Sequence, residues 1–139
     1  MSPIRQTVML CKWQLAGMDE EMKLMAKLSV LIVAALHVGF LALEMFLWQE
    51  PVGMQVFQLT VEEAANTAVL AANQGLYNGF LAAGLIWGVM RNSREFVLFF
   101  LAGVIAAGVY GSITASASIL YVQALPASVA FLLNIRRSS

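Results

Sequence analysis

The sequence predicts an all-α protein, a four-helix transmembrane bundle with both termini in the cytoplasm, and three observations predict it. The first is composition. The 139 residues are 60% hydrophobic and 12% charged, against about 45–50% apolar and about 25% charged in an ordinary soluble domain. The second is segmentation: charges bound four apolar runs, Leu28 to Trp48, Ala68 to Met90, Phe96 to Thr114 and Ala117 to Ile135. Each is near the ~20 residues that cross a ~30 Å hydrocarbon core as a helix, and open strands would leave backbone groups unpaired in lipid. The third is charge asymmetry. Arg5, Lys12, Lys23 and Lys27 precede the first run, Arg91 and Arg94 separate the second from the third, and Arg136 and Arg137 follow the fourth. The opposite connections carry Glu50, Glu62 and Glu63 or no charge at all, as near Ala115 and Ser116. Positive charge in short flanks stays in the cytoplasm, so both termini are expected there, with the membrane crossed several times.

Residues 1–22 are expected to form a cytoplasmic N-terminal extension, flexible or lying on a surface, because they lack the charged, apolar and small-residue pattern of a secretory signal. Residues 23–139 form the membrane domain. Its first helix, about 24–48, is closed by Pro51, which begins an outer loop. The second, about 61–90, opens on "TVEE": Thr60 as N-cap with Glu63 three residues later makes a capping box. The third covers about 95–114. The fourth, about 117–135, carries Pro126, which frees a backbone carbonyl and should kink the chain.

His37 and Glu44 stand out in the first run. Seven residues apart, they fall within about 20° of one helical face and about 10 Å apart along the axis. A carboxylate inside hydrocarbon is costly and normally faces protein or a wet cavity. In the second run Asn66, Asn73 and Tyr77 share a face, and Gln74 and Asn78 widen that arc. With midplanes set near Val38 and Asn78, Glu44 is expected level with Asn73 and Gln74, and His37 level with Tyr77 and Asn78. Gln123 falls in the same outer half. These residues are the candidate ligand-lining set, with a structural hydrogen-bond network as the plainer explanation. Two stripes of small residues at four-residue spacing, Ala71, Gly75, Gly79 and Ala83 and then Gly103, Ala107 and Gly111, mark expected helix contacts.

The pattern "LEMFLW" at Leu43 to Trp48, then Pro51, "AANQGLYNGFLAAGL" from Ala71 to Leu85, and "QALP" at Gln123 to Pro126 resembles a family of small bacterial integral membrane proteins, domain of unknown function 1304. The resemblance covers nearly all of the chain after Lys23. It implies a four-helix membrane protein and assigns no catalytic residue.

Several chemistries are set aside. There is no phosphate-binding Gly-rich loop with its lysine and no HExxH. His37 is the one histidine and Cys11 the one cysteine, so no metal site or cofactor is expected. Zero net charge gives no footprint for nucleic acid. Two classes remain. One is a non-enzymatic protein that binds or passes a small polar solute, proton or lipid headgroup through the polar cluster. It is expected to be a homo-oligomer, because four short helices make a thin wall. The alternative is an intramembrane isomerase or oxidoreductase that uses His37 and Glu44 as acid and base on a lipid-soluble substrate. The first is preferred, since two groups ~10 Å apart on one helix do not make a close acid–base pair.

Overall fold

The computed structural model describes the backbone of residues 3–136 and the side chains of residues 16–136. Five α-helices follow in order: α1 Pro3–Phe46, α2 Pro51–Phe57, α3 Val61–Met90, α4 Arg94–Thr114 and, after a π turn over Leu120–Ala124, α5 Leu125–Arg136. Among the described residues there is no strand. Two helices among the described residues, Ala16–Phe46 and Arg94–Thr114, are long and apolar enough to cross a membrane.

The backbone before residue 24 does not take the flexible form of the expected extension. It is helical from Pro3 and runs without interruption into the apolar segment. The sequence offers no breaker to stop it: Pro3 stands in the first turn, where a proline is tolerated, and Gly17 alone costs only about 1 kcal/mol. The side chains of Arg5 and Lys12, and all of Arg137, lie outside the described residues.

The connection between α1 and α3 is also more ordered than the expected loop. Pro51 takes the first position of α2, where its fixed φ favours helix and its missing N–H is no loss. Gln58 closes α2 in the left-handed region, φ 55°, and the Leu59 N–H reaches the Met54 carbonyl at 2.9 Å. Trp48 anchors the turn before α2: its indole N–H donates to the Thr67 hydroxyl on α3 at 3.0 Å, and its ring lies on Phe57, centroids 4.6 Å apart. The α3 start is the expected capping box, with the Thr60 backbone N–H donating to the Glu63 carboxylate at 2.8 Å and the Glu63 N–H to the Thr60 hydroxyl at 3.2 Å.

Helices α1, α3, α4 and the shorter α5 pack as antiparallel neighbours in a ring, α1 on α3, α3 on α4, α4 on α5 and α5 back on α1. Between them Val30, Val33, Ala34, Leu85, Val97, Leu101, Val104, Ala127 and Ala130 form the buried core. The Asn134 amide, almost fully buried, donates to the Ala26 carbonyl at 3.2 Å and to the Ala130 carbonyl at 2.8 Å, tying α5 to α1. The Arg94 guanidinium bonds the Ile135 carbonyl at the same end.

Pro126 does not interrupt the last helix by a simple break. The Leu125 N–H reaches back five residues to the Leu120 carbonyl, so the turn just before the proline is widened. That widening relieves the clash between a proline ring and the carbonyl four residues earlier.

The small-residue stripe expected on α4 is displaced by one position on the helix. Gly103 has open space where a Cβ would stand, and Ala107 is exposed, so neither packs against a helix. The buried face is instead Val97, Leu101, Val104 and Gly108, with Gly111 beside Ile119. Alternating three- and four-residue steps keep a stripe on one face of a 3.6-residue helix, whereas strict fours drift around it. At Gly108 a Cβ would stand 2.9 Å from the Ala124 backbone nitrogen.

Two outcomes follow from these contacts. Gly108→Ala must push α4 from the π turn and should cost about 1–3 kcal/mol, whereas Gly103→Ala should be neutral or gain up to about 1 kcal/mol; thermal unfolding in detergent compares them. The Thr60 backbone N–H, and next its hydroxyl, hold the exposed Glu63 carboxyl below the usual carboxylate range. A depressed acid stabilises fully above its unfolded pKa and loses that contribution as pH falls through the depressed value. In a carboxyl NMR titration Glu63 should therefore titrate below the usual carboxylate range, and Thr60→Ala, which removes the hydroxyl but keeps the backbone N–H, should raise it only part of the way.

Candidate functional site

The site is built where α1 and α3 come closest. At Gly75 a Cβ would stand 3.1 Å from both the Glu44 Cβ and the Met45 backbone nitrogen, and at Gly79 2.6 Å from a Leu41 methyl. Only a glycine lets the α3 backbone approach α1 this closely at residue 75. Asn78, three residues on from Gly75 and on the same face, is thereby buried, and its Nδ2 donates to Glu44 Oε2 at 2.7 Å. The same Nδ2 bonds the Gln74 carbonyl at 3.3 Å. Glu44 itself is half-buried.

These contacts adjust the expected depths. Glu44 lies beside Gly75, one to two residues from Asn73 and Gln74, and its side chain reaches about one turn inward to Asn78. His37 falls near the level of Ala82 and Ala83 and not of Tyr77 and Asn78, a shift of about 6–8 Å. Aligning the two helices by their apolar midpoints ignores the turns of α3 that lie beyond the core. The close approach at Gly75 and Gly79 sets the register instead.

The rest of the expected cluster divides. Asn73, Gln74 and Tyr77 are exposed on the outer side of α3, as is Asn66. Asn78, expected at the edge of that polar arc, belongs to the buried face with Ala71, Gly75, Ala82 and Leu85. Gly79 is half-buried and Ala83 exposed, so the stripe holds at Ala71, Gly75 and Gly79 and turns outward beyond them. Gln123 sits in the π turn, half-buried, with Nε2 3.4 Å from the Val104 carbonyl.

His37 is fully buried, two turns deeper along α1 than Glu44. Its Nδ1 lies 2.9 Å from the Val33 carbonyl, and its ring meets Phe40 edge-on at 5.6 Å. A carbonyl only accepts, so Nδ1 carries the proton. Nε2 is buried and has no protein partner among the described residues. No group of three or more potential metal ligands occurs among the described residues.

Two polar anchors were not singled out in the sequence, Asn134 and Thr67. Asn134 had a signal: it continues Ala127 and Ala130 at helical spacing. Thr67, one hydroxyl among polar neighbours, had none.

A family model described as "Protein of unknown function (DUF1304)" matches residues 31–135, a span that holds every candidate site residue from His37 to Gln123. The chain belongs to the DUF1304 family. It is also similar to the uncharacterized protein YpaA of Lactococcus lactis subsp. lactis (strain IL1403), 33% identical over 97 residues, which are 67% of this chain and 82% of that one. No solved structure matches. The DUF1304 match begins at Leu31, so the N-terminal turns of α1 lie outside it while the Glu44–Asn78 pair lies inside.

Removing the amide from Asn78 leaves a half-buried carboxylate without its donor, a loss of about 1–3 kcal/mol. Asn78→Ala should show that loss in detergent denaturation, while Asn73→Ala, at an exposed site, should stay within about 0.5 kcal/mol.

Proposed function

We propose that this chain is a four-helix integral protein of the bacterial cell membrane, termini in the cytoplasm, that binds or passes a proton or small polar solute at the Glu44–Asn78 pair in the outer half of the bundle. The observation that carries this reading is the incomplete satisfaction of Glu44. A carboxylate offers about four lone-pair sites, and Asn78 is its only hydrogen-bonding partner among the described side chains. One charge-assisted hydrogen bond contributes about 1.5–3 kcal/mol, no more than the ~2.5–3.5 kcal/mol that an acidic residue costs at the centre of a membrane helix. An acid kept there for structure alone would gain nothing over an apolar side chain.

Several features support the membrane setting. Large apolar side chains point outward from every long helix, among them Ile32, Val69, Phe99, Ile113 and Leu132, which suits a lipid surrounding. Lys23, Lys27, Arg91, Arg94 and Arg136 gather at the end of the ring where Asn134 meets Ala26, and the positive-inside tendency puts that end in the cytoplasm. The exposed amides of Asn73 and Gln74 suit a homo-oligomer, in which a second copy would satisfy them.

Vesicles containing the purified protein and an internal pH dye, polarised with potassium and valinomycin, test the reading with the proton as probe. The protein should carry protons inward faster than protein-free vesicles do. Glu44→Gln, which keeps shape and most hydrogen bonding, should fold normally and lose that flux. A Glu44→Gln flux equal to the unmodified protein's would make the charge dispensable and end the proposal.

A further inference from the structure

The Glu44–Asn78 reading makes no use of His37, yet His37 is the more deeply buried of the two titratable groups on α1. Its chemistry is fixed by geometry. Nδ1 donates to the Val33 carbonyl at 2.9 Å, so in the neutral ring Nε2 is a bare lone pair, an acceptor only. That lone pair is fully enclosed and no protein donor reaches it among the described residues. An unsatisfied buried acceptor costs about 1–3 kcal/mol, and a smaller apolar side chain at position 37 would avoid the cost.

Depth relations place the other polar groups around it. The Gly75 and Gly79 contacts put His37 near the level of Ala82 and Ala83 on α3. The Asn134–Ala26 bond puts residues eleven further outward, His37 and Gln123, near one level on α1 and the π turn. Gln123 turns its amide nitrogen to the Val104 carbonyl and keeps an acceptor oxygen. Glu44 above and His37 below are thus both acceptors.

We propose that His37 Nε2 is a second, inner binding site for a small O–H or N–H donor, water or ammonium, which reaches it from the outer side past Glu44 and Asn78. The outer-site reading enters only through that access route. Acceptors on both levels select donors and cations and give no purchase to anions. Because Val33 holds the Nδ1 proton, the ring takes up and gives back a proton at Nε2 alone. An O–H or N–H bond of the donor breaks as the Nε2–H bond forms, the donor keeps the electron pair, and the reverse step restores both. His37 is therefore a terminus that holds a donor, and not a link that hands a proton from one ring nitrogen to the other.

The chain has a single histidine, so 15N-histidine labelling in phospholipid bilayers reports this one ring. The expected spectrum shows Nδ1 protonated, Nε2 unprotonated, and magnetisation transfer from water protons to Nε2. Titration with ammonium chloride separates the two donors: a saturable Nε2 shift identifies ammonium, and water transfer without that shift identifies water. A proton on Nε2 with a bare Nδ1, or a bare Nε2 that meets neither water nor ammonium, would overturn the proposal. Glu44→Leu should keep the tautomer and lose the transfer to Nε2; transfer as strong as in the unmodified protein would overturn the access route. These spectra need no flux, so the inner site can stand where the Glu44→Gln vesicle experiment fails, and fall where it succeeds.

Discussion

The close approach of α3 to α1 at Gly75 is the constraint on which the rest depends. It fixes the register of the two longest helices, and register decides which polar groups meet. With Gly75 against the Glu44 Cβ and the Met45 backbone nitrogen, the Asn78 amide reaches Glu44 and His37 falls near the level of Ala82 and Ala83. A shift by one residue would rotate Asn78 by about 100° off the interface. The polar pair and the small residues around it are therefore one device: the glycine brings the backbones together and the amide meets the acid that this proximity buries.

The α4 side follows the same rule with a different partner. Gly108 admits the backbone at Ala124, and Ala124 ends the π turn that precedes Pro126. The turn is wide because the proline cannot share an ordinary helical turn with the carbonyl four residues earlier. Glycine on α4 and the widened turn on the opposing strand of chain sit face to face, so an irregular segment is packed against the one neighbour smooth enough to receive it. Gln123 is carried into the interface by that widening.

Much of this was legible in the sequence. The ends of α3 and α4 were, because Thr60 with Glu63 and the "RNSR" break between Met90 and Glu95 are local signals that packing does not alter. The singular polar residues of α1 were also legible, since an acid and a histidine in an apolar run have few explanations. What was not legible depended on pairing. Strict four-residue spacing pointed to Gly103 and Ala107, yet a helix contact follows a mixed three-and-four rhythm, and Gly108 satisfies it. Counting amides on α3 grouped Asn73, Gln74 and Asn78 together, although 3.6 residues per turn carry Asn78 onto the glycine face. Depth matched by midpoints failed for the same reason: helix ends that overhang the core shift the midpoint without shifting the register.

The asymmetry of α1 carries one more step. Its inward face runs Ala26, Val30, Val33, Ala34 and His37, all buried, and then becomes half-buried at Leu41, Glu44 and Met45. Burial thus loosens toward the C-terminal end of α1, where the acid sits, and is complete at the histidine. A charged group needs access to water more than a neutral one does, because its desolvation is the larger cost. Placing the carboxylate at the half-buried end and the imidazole at the buried one follows that order, and it gives the α1–α3 interface a direction, from a group that can remain hydrated to one that must be supplied.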